Sequence, residues 1–359
     1  MDVARDNLQS YLRQLETWLT SNRMSVSAQK SSITLVTPFN REYRLTPQVD
    51  LFGDPLPVEP YTKILGLTLD RGMTFRQHVQ EVNARARSRL NAMKALASTT
   101  FGHSKESLTA LYKQFVRPVM EYASSSWTPD LAQSHMEVLQ RTQNAALRIA
   151  TGCTRSTPTA HLHAETMVLP LRDHMDLRGT QLFTAAASPE HPLHDRLHNP
   201  IGTQRQIHTT PSAHYTALRT MIPPPPPQRS ESSWLHESFV TRYLAAAPSN
   251  SVLGEAPPSL MPGELGLPRQ DRVHLARLRC GHHPALLSYE NRLRPDVDPT
   301  CRWCGTTGET VSHLLGDCAG VAGDRLAAGL SSARDLWARP VQALGFLRSI
   351  GLVPDPHLN

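Results

Sequence analysis

The sequence predicts an α+β protein that is mostly helical, with a small antiparallel sheet near its start and helices carrying a zinc knuckle near its end. Three observations predict it. Apolar residues recur at helical spacing through residues 3–22 and 71–152. Short apolar runs broken by proline and glycine crowd residues 32–69. Three cysteines and a histidine with metal-ligand spacing fall between Cys301 and Cys318.

Residues 3–22 form an amphipathic pattern, with Leu8, Leu12, Leu15 and Leu19 on one face and Tyr11 and Trp18 beside it. Residues 32–37 have strand character, ended by Pro38, and short strands are expected at 43–45, 49–52 and 62–69. The strongest of these is Lys63-Ile64-Leu65-Gly66-Leu67-Thr68-Leu69. One helix packed on so small a sheet is too little chain to be comfortable alone.

From residue 71 the pattern is helical. Phe75, Val79, Val82, Ala86, Leu90, Met93 and Ala97 step by three or four, while Arg85 and Arg89 share another face. Ser104 is placed to cap a second helix with Leu108, Leu111, Tyr112, Phe115 and Val116 inside, which Pro118 bends or ends. Asp130 is expected to cap a third, carrying Met136, Leu139, Gln143, Ala146 and Leu147 and stopping at Gly152. Arg141 and Arg148, seven apart, lie on one face of it. Three helices with short links suggest a small bundle.

Residues 153–222 carry several histidines and short helix signals, as around 177–187. Pro223 opens a run of five prolines, which adopts polyproline II and acts as a spacer or surface arm. Residues 246–270 are again rich in Pro, Gly and Ser, with one helix expected over 234–247 between the two stretches. The organisation read from this is residues 1–70, 71–152, 153–222, 223–270 and 271–359.

Composition excludes several classes. No apolar run approaches the ~18 to 20 residues of a membrane span. The polar start, Asp2-Val3-Ala4-Arg5-Asp6-Asn7, is no secretory leader, and the 5 cysteines in 359 residues are too sparse for a disulfide scaffold. A reducing compartment follows: nucleus or cytoplasm, not secreted. The net charge of +6 has an address, since residues 71–150 hold 11 Lys and Arg against 5 Asp and Glu. Solvated helix faces would explain that excess. So would an electrostatic footprint for nucleic acid, where Lys and Arg displace counterions from phosphates.

The metal pattern is Cys301-x2-Cys304, then His313, then Cys318. A Cys-x2-Cys turn supplies two thiolates from one knuckle, and His313 and Cys318 lie five apart after a short helix beginning near Thr310. Gly305, Gly308 and Gly316 are expected to ease the turns. With four protein ligands no position is left for water, so zinc here is structural. Cys280 and the pair His282-His283 have no regular spacing to the knuckle, and Cys153 reads as a buried free thiol. There is no P-loop, no Gly-x-Ser-x-Gly and no His-Glu-x-x-His.

Several stretches, in order, resemble the non-LTR (LINE-type) retrotransposon reverse transcriptases. They run from Leu15-x2-Trp18 through Lys30-Ser31 and Ile64-Leu65-Gly66-Leu67-x-Leu69-Asp70 to Leu111-Tyr112-x5-Pro118-x3-Tyr122 and Trp127-x-Pro129. They continue through Leu139-Gln140-x2-Gln143-Asn144-x-Ala146-Leu147-Arg148, His161-Leu162-His163-x-Glu165 and Leu169-Pro170-Leu171. Arg277-Leu278-x2-Gly281-His282-His283-Pro284, the knuckle, Leu336-Trp337-x2-Pro340 and Phe346-Leu347 complete the order.

The resemblance implies a late part of a polymerase palm over 1–70, with a primer-grip hairpin at Gly66. It implies a basic thumb over 71–152 and a C-terminal zinc-knuckle region over 271–359. In that family Lys30 would sit where a late-palm lysine protonates the leaving pyrophosphate. Arg85, Arg87, Arg89, Lys94, Lys113, Arg141 and Arg148 would track an RNA or DNA template–primer duplex. The sequence holds no Asp-Asp pair. Two-metal phosphoryl transfer needs such carboxylates, so no polymerase activity is expected from this chain alone, and Mg only in an intact enzyme. Partners implied are nucleic acid, an upstream polymerase segment or another retroelement protein, and no membrane. The alternative is a protein-interaction or assembly remnant of a retroelement with no nucleic-acid role.

Overall fold

The computed structural model describes residues 2–37, 39–199, 210–258 and 262–354; Pro38, the expected end of a strand, lies outside them. The chain divides into two compact units, Met1–Ala84 with Ser126–Val138, and Arg85–Ser125 with Leu139–Asn359.

The first unit opens with α1 (Asp2–Ser21). Its leucine face is only partly used: Leu19 is buried, Leu12 and Leu15 are half-buried, and Leu8, Tyr11 and Trp18 are exposed. Polar ties fix the helix instead. Gln9 exchanges hydrogen bonds with the backbone of Asp50, and Glu16 accepts from Phe52 N. Two antiparallel pairs follow, β1 (Asp50–Leu51) with β2 (Asp54–Pro55) and β3 (Tyr61–Ile64) with β4 (Leu67–Asp70).

The β3–β4 turn places Leu65 at φ 48° and Gly66 at φ 89°. Two positive φ values in succession make the turn whose twist suits a hairpin, and glycine carries the second at no steric cost.

Two expected strands are absent. Residues 32–37 make one parallel bridge, Ile33 to Val58, and residues 43–45 fall within a 3-10 turn, Asn40–Arg44, and just past it. Prolines 47, 55, 57 and 60 remove donors a wider ladder would need, and the Tyr43 carbonyl is taken by the Arg71 side chain. Trp127 closes the unit against Phe75 (ring centroids 6.4 Å apart) and edge-on against His78 (5.1 Å).

α2 (Arg76–Ala95) buries Val79, Val82, Ala86, Leu90 and Met93, the spacing read from sequence. In the second unit, the Ser104 side chain accepts from Ser107 N and starts α3 (Lys105–Leu111). A π turn, Tyr112–Val116, leads into α4 (Arg117–Glu121). Pro118 is the physical reason. It has no N–H to donate and its ring crowds the carbonyl four residues back, so the turn widens and Arg117 N reaches Tyr112 O. The extra residue swings Phe115 outward: it is 39% exposed rather than inside. α5 (Gln133–Thr151) begins three residues beyond Asp130, so that residue is not its cap; the helix does stop at Gly152.

The remaining helices are α6 (Thr159–Thr166), α7 (Leu171–Ala185), α8 (His194–His198), α9 (Pro211–Thr220) and α10 (Glu231–Ala246). They are followed by α11 (Arg269–Arg279), α12 (Leu287–Leu293), α13 (Val311–Gly316), α14 (Ala322–Ala327), α15 (Asp335–Ala338) and α16 (Pro340–Ser349). α7, α9 and α10 pack around Leu177, Ile222, Leu235 and Phe239, and the helices from α11 onward share a larger core centred on Leu278, Leu314, Trp337 and Leu347. The prolines from Pro223 run largely exposed, tied by Trp234 Nε1 donating to Pro223 O.

A buried charge cluster joins distant parts of this unit. Lys105 Nζ lies 3.0 Å from Glu165 and 3.1 Å from Glu264. Arg279 reaches the same two carboxylates at 3.3 and 2.6 Å, and donates to Leu336 O. Arg272 pairs with Glu106 and Glu264. Burial alone would raise the Glu165 pKa, but Lys105, Arg279 and His161 hold it well below the usual carboxylate range. Glu264 sits in the proline-rich stretch read as a linker, yet it is buried and ion-paired.

Candidate nucleic-acid interface and metal centre

The knuckle is built on a tight turn. Cys301 N donates to Thr307 O, and Gly305 N donates to Cys301 O. Gly305 has φ 68°, whereas Gly308 and Gly316 keep ordinary φ values, so only the first is demanded by the turn. Gly320 is demanded by close approach: a Cβ there would lie 2.2 Å from Trp303 O. The Thr310 side chain accepts from His313 N and starts α13, and Cys318 N donates to His313 O. Buried Glu309 accepts from Leu287 N and from the Arg302 side chain, fixing the loop to the start of α12.

These elements bring together all four residues predicted to hold metal. The ligand atoms of Cys301, Cys304, His313 and Cys318 lie within 4.8 Å of one another. Cys301 Sγ and Cys318 Sγ are 3.8 Å apart, and Cys304 Sγ is 3.2 Å from His313 Nε2. A tetrahedron with ~2.3 Å zinc–sulfur bonds has edges near ~3.8 Å, so the donor set and its spacing fit zinc. Nε2 is the nitrogen nearest the Cys304 thiol, and the Thr307 hydroxyl lies beside the ring, 3.2 Å from Nδ1 and 3.3 Å from Nε2. Thr306 donates to the Cys304 sulfur through its hydroxyl and backbone, bringing that thiol down to about 6.

The basic residues are placed differently from one another. Arg85, Arg87 and Lys94 project from α2 and are exposed, as is Arg141 on α5. Arg89 turns onto the π turn, donating to Phe115 O at 2.6 Å with its guanidinium 4.8 Å above the Phe115 ring. Arg148 points to the segment after its helix, where Thr154 O and Thr157 O accept from it. Burial lowers its pKa. Lys113 is half-buried, its pKa lowered by burial and by the charge of Arg117. Gly66 is at the hairpin tip in the first unit, and Lys30 is exposed at the end of a 3-10 turn, Ala28–Lys30.

Sequence reasoning missed the charged residues of the buried cluster. One signal existed. Arg272 and Arg279 stand seven apart on the stripe of α11 that also carries Leu275 and Ala276, all buried. It also missed Arg269, whose guanidinium gathers the carbonyls of Ser98, His103, Ile149 and Ala150. No described helix is long and apolar enough to cross a membrane.

Comparison with known proteins gives relatives of one kind. A probable RNA-directed DNA polymerase from transposon X-element of Drosophila melanogaster is 28% identical over 195 residues, covering 54% of this chain and 20% of that protein. The RNA-directed DNA polymerase from mobile element jockey of Drosophila funebris is 29% identical over 150 residues, covering 42% of this chain and 16% of its own. A probable RNA-directed DNA polymerase from transposon BS of Drosophila melanogaster is 26% identical over 167 residues, covering 45% and 18%. The chain is thus similar, over about half its length, to non-LTR retrotransposon RNA-directed DNA polymerases, and it spans a fifth or less of the length of these relatives. No protein-family model matches the chain, and no solved structure matches it significantly.

Proposed function

We propose, from this similarity to retrotransposon polymerases, that the chain is a late portion of a LINE-type reverse transcriptase that binds RNA or DNA template–primer. The carrying observation is the 28% identity over 195 residues to such a polymerase. In this reading α2, α3, α4 and α5 serve as the thumb. Exposed Arg85, Arg87, Lys94 and Arg141 meet phosphates, which fix register and orientation without reading sequence. Arg89, Lys113 and Arg148 stand behind them, and the β3–β4 turn at Gly66 holds the primer end. The knuckle takes a structural zinc: four side chains fill a tetrahedron and leave no open position. Polymer synthesis itself would need metal-binding aspartates that this chain does not pair, so Lys30 has a proton to give, and Mg a place, only in an intact enzyme.

The test is salt-dependent binding of a template–primer duplex, read by fluorescence anisotropy. Affinity should fall steeply between ~50 and ~200 mM salt. Reversing Arg85 and Arg87 together should flatten the log–log slope by about 2, one phosphate contact each. No binding at low salt overturns the reading, and an unchanged slope overturns the assignment of those two residues.

A further inference from the structure

A second feature of the helical unit has the shape and charge of a ligand site. A cavity of about 310 Å³ opens between the π turn, α6, α7 and α10. That is the lower end of the size range for small-molecule pockets. Its walls are mainly apolar, and one of them is aromatic: Tyr243 meets the His163 ring edge-on, with centroids 5.9 Å apart. His163 Nδ1 is 2.7 Å from Val168 O, so that nitrogen carries the proton, and burial keeps the ring neutral.

The charge is at one end. Arg117 and His174 both approach one oxygen of Glu121, Oε1, at 3.0 and 2.9 Å, as ion pairs. Lys113 lines the same cavity and has no ion-pair partner among the described residues. A half-buried ammonium beside another cation is held there at a cost, which an anion in the cavity would relieve. The other carboxylate nearby, Asp173, is on the Tyr243 side, where burial and the neighbouring Asp176 raise its pKa against the opposing charges of Arg242 and Arg172.

We propose that this cavity binds one unpaired nucleotide, its phosphate on Lys113 and its base in the apolar slot against Tyr243. A cation beside an aromatic face is how single strands are held without sequence preference. The assignment rests on the nucleic-acid-binding reading above and adds to it a place for a base that has left the duplex.

The experiment is equilibrium dialysis of the full chain against adenosine 5′-monophosphate, with adenosine and inorganic phosphate in parallel. One saturable site for the nucleotide is expected, at least 10-fold tighter than for either fragment. Lys113→Gln should weaken it 10-fold or more, and Leu244→Trp, which fills the cavity from its rim, should do the same by a route that leaves the charge in place. Circular dichroism shows that each variant is folded. Absence of nucleotide binding, or binding that neither variant changes, overturns the proposal. Phosphate binding as tightly as the nucleotide overturns it in favour of a free-phosphate site. Duplex binding that persists while nucleotide binding fails removes only this inference; the reverse removes the thumb reading and leaves the pocket standing.

Discussion

Replacing Glu165 by glutamine tests the account of the buried charge cluster most directly. The substitution keeps the shape and one acceptor oxygen but turns the other into an NH2 that faces donors. Glu165 is 2% exposed and lies 3.0 Å from Lys105 and 3.3 Å from Arg279. Removing one partner of a buried pair costs about 3–5 kcal/mol, because the remaining charge stays desolvated. Glu264 still serves both cations, at 3.1 and 2.6 Å, which places the expected loss near the lower limit, ~3 kcal/mol. At ~1.4 kcal/mol per tenfold, the folding constant falls by more than about 100-fold.

The assay is urea unfolding followed by tryptophan fluorescence, since Arg279 lies 5.4 Å from the Trp337 ring. The midpoint should drop while the slope holds. Glu255→Gln breaks the exposed pair with Arg334 and should cost under ~1 kcal/mol. The Glu165 pKa is depressed in the folded chain, so its contribution is complete above the ordinary carboxylate value of ~4.3 and fades as pH falls below that value. The variant should lose that part of the acid sensitivity. A loss below ~1 kcal/mol for Glu165→Gln would refute the reasoning.

Other outcomes follow from the same structure. Native mass spectrometry should find one zinc per chain, absent from Cys304→Ser; a folded knuckle free of metal in the unaltered protein would contradict the site. Gly320→Ala should weaken zinc retention against a chelator, because its Cβ would strike Trp303 O and push the knuckle turn aside; equal retention would show that the turn has room. His274 and His283, whose rings meet at 2.8 Å, are brought by burial down to about 4 and about 3. Their folded pKa values lie below the unfolded value of ~6.5, so stability is complete above that pH and lost as pH falls through the range down to the folded values. Thermal melts from pH 7 to 4 should show this slope, and His283→Asn should reduce it.

Much of the helical fold was legible because its signals are local. The Phe75-to-Met93 spacing marks a buried helix face whatever it packs against, and the Cys-x2-Cys turn with His313 and Cys318 needs only a short stretch of chain to close. Ser104 and Gly152 marked helix ends for the same reason. The misread elements depend on partners. Residues 32–37 have strand composition but one bridge, because their neighbour is full of proline. Phe115 obeys a helical repeat that the turn before Pro118 breaks. Lys105, Glu165, Glu264 and Arg279 are residue types that mostly stay in water, and nothing local announces that four of them neutralise one another.

That cluster also sets an order of events as the chain is made. Lys105 and Glu264 are separated by 159 residues, and Glu165 and Arg279 by 114. Synthesis supplies the N-terminal members first, and chain segments that pair across such distances close slowly. The core around α3 and α6 therefore lacks part of its polar interior until α11 has been made. A ribosome stalled before that point would hold a helical unit in which Lys105 and Glu165 can already pair, while the arginines that complete the cluster, Arg272 and Arg279, are still missing.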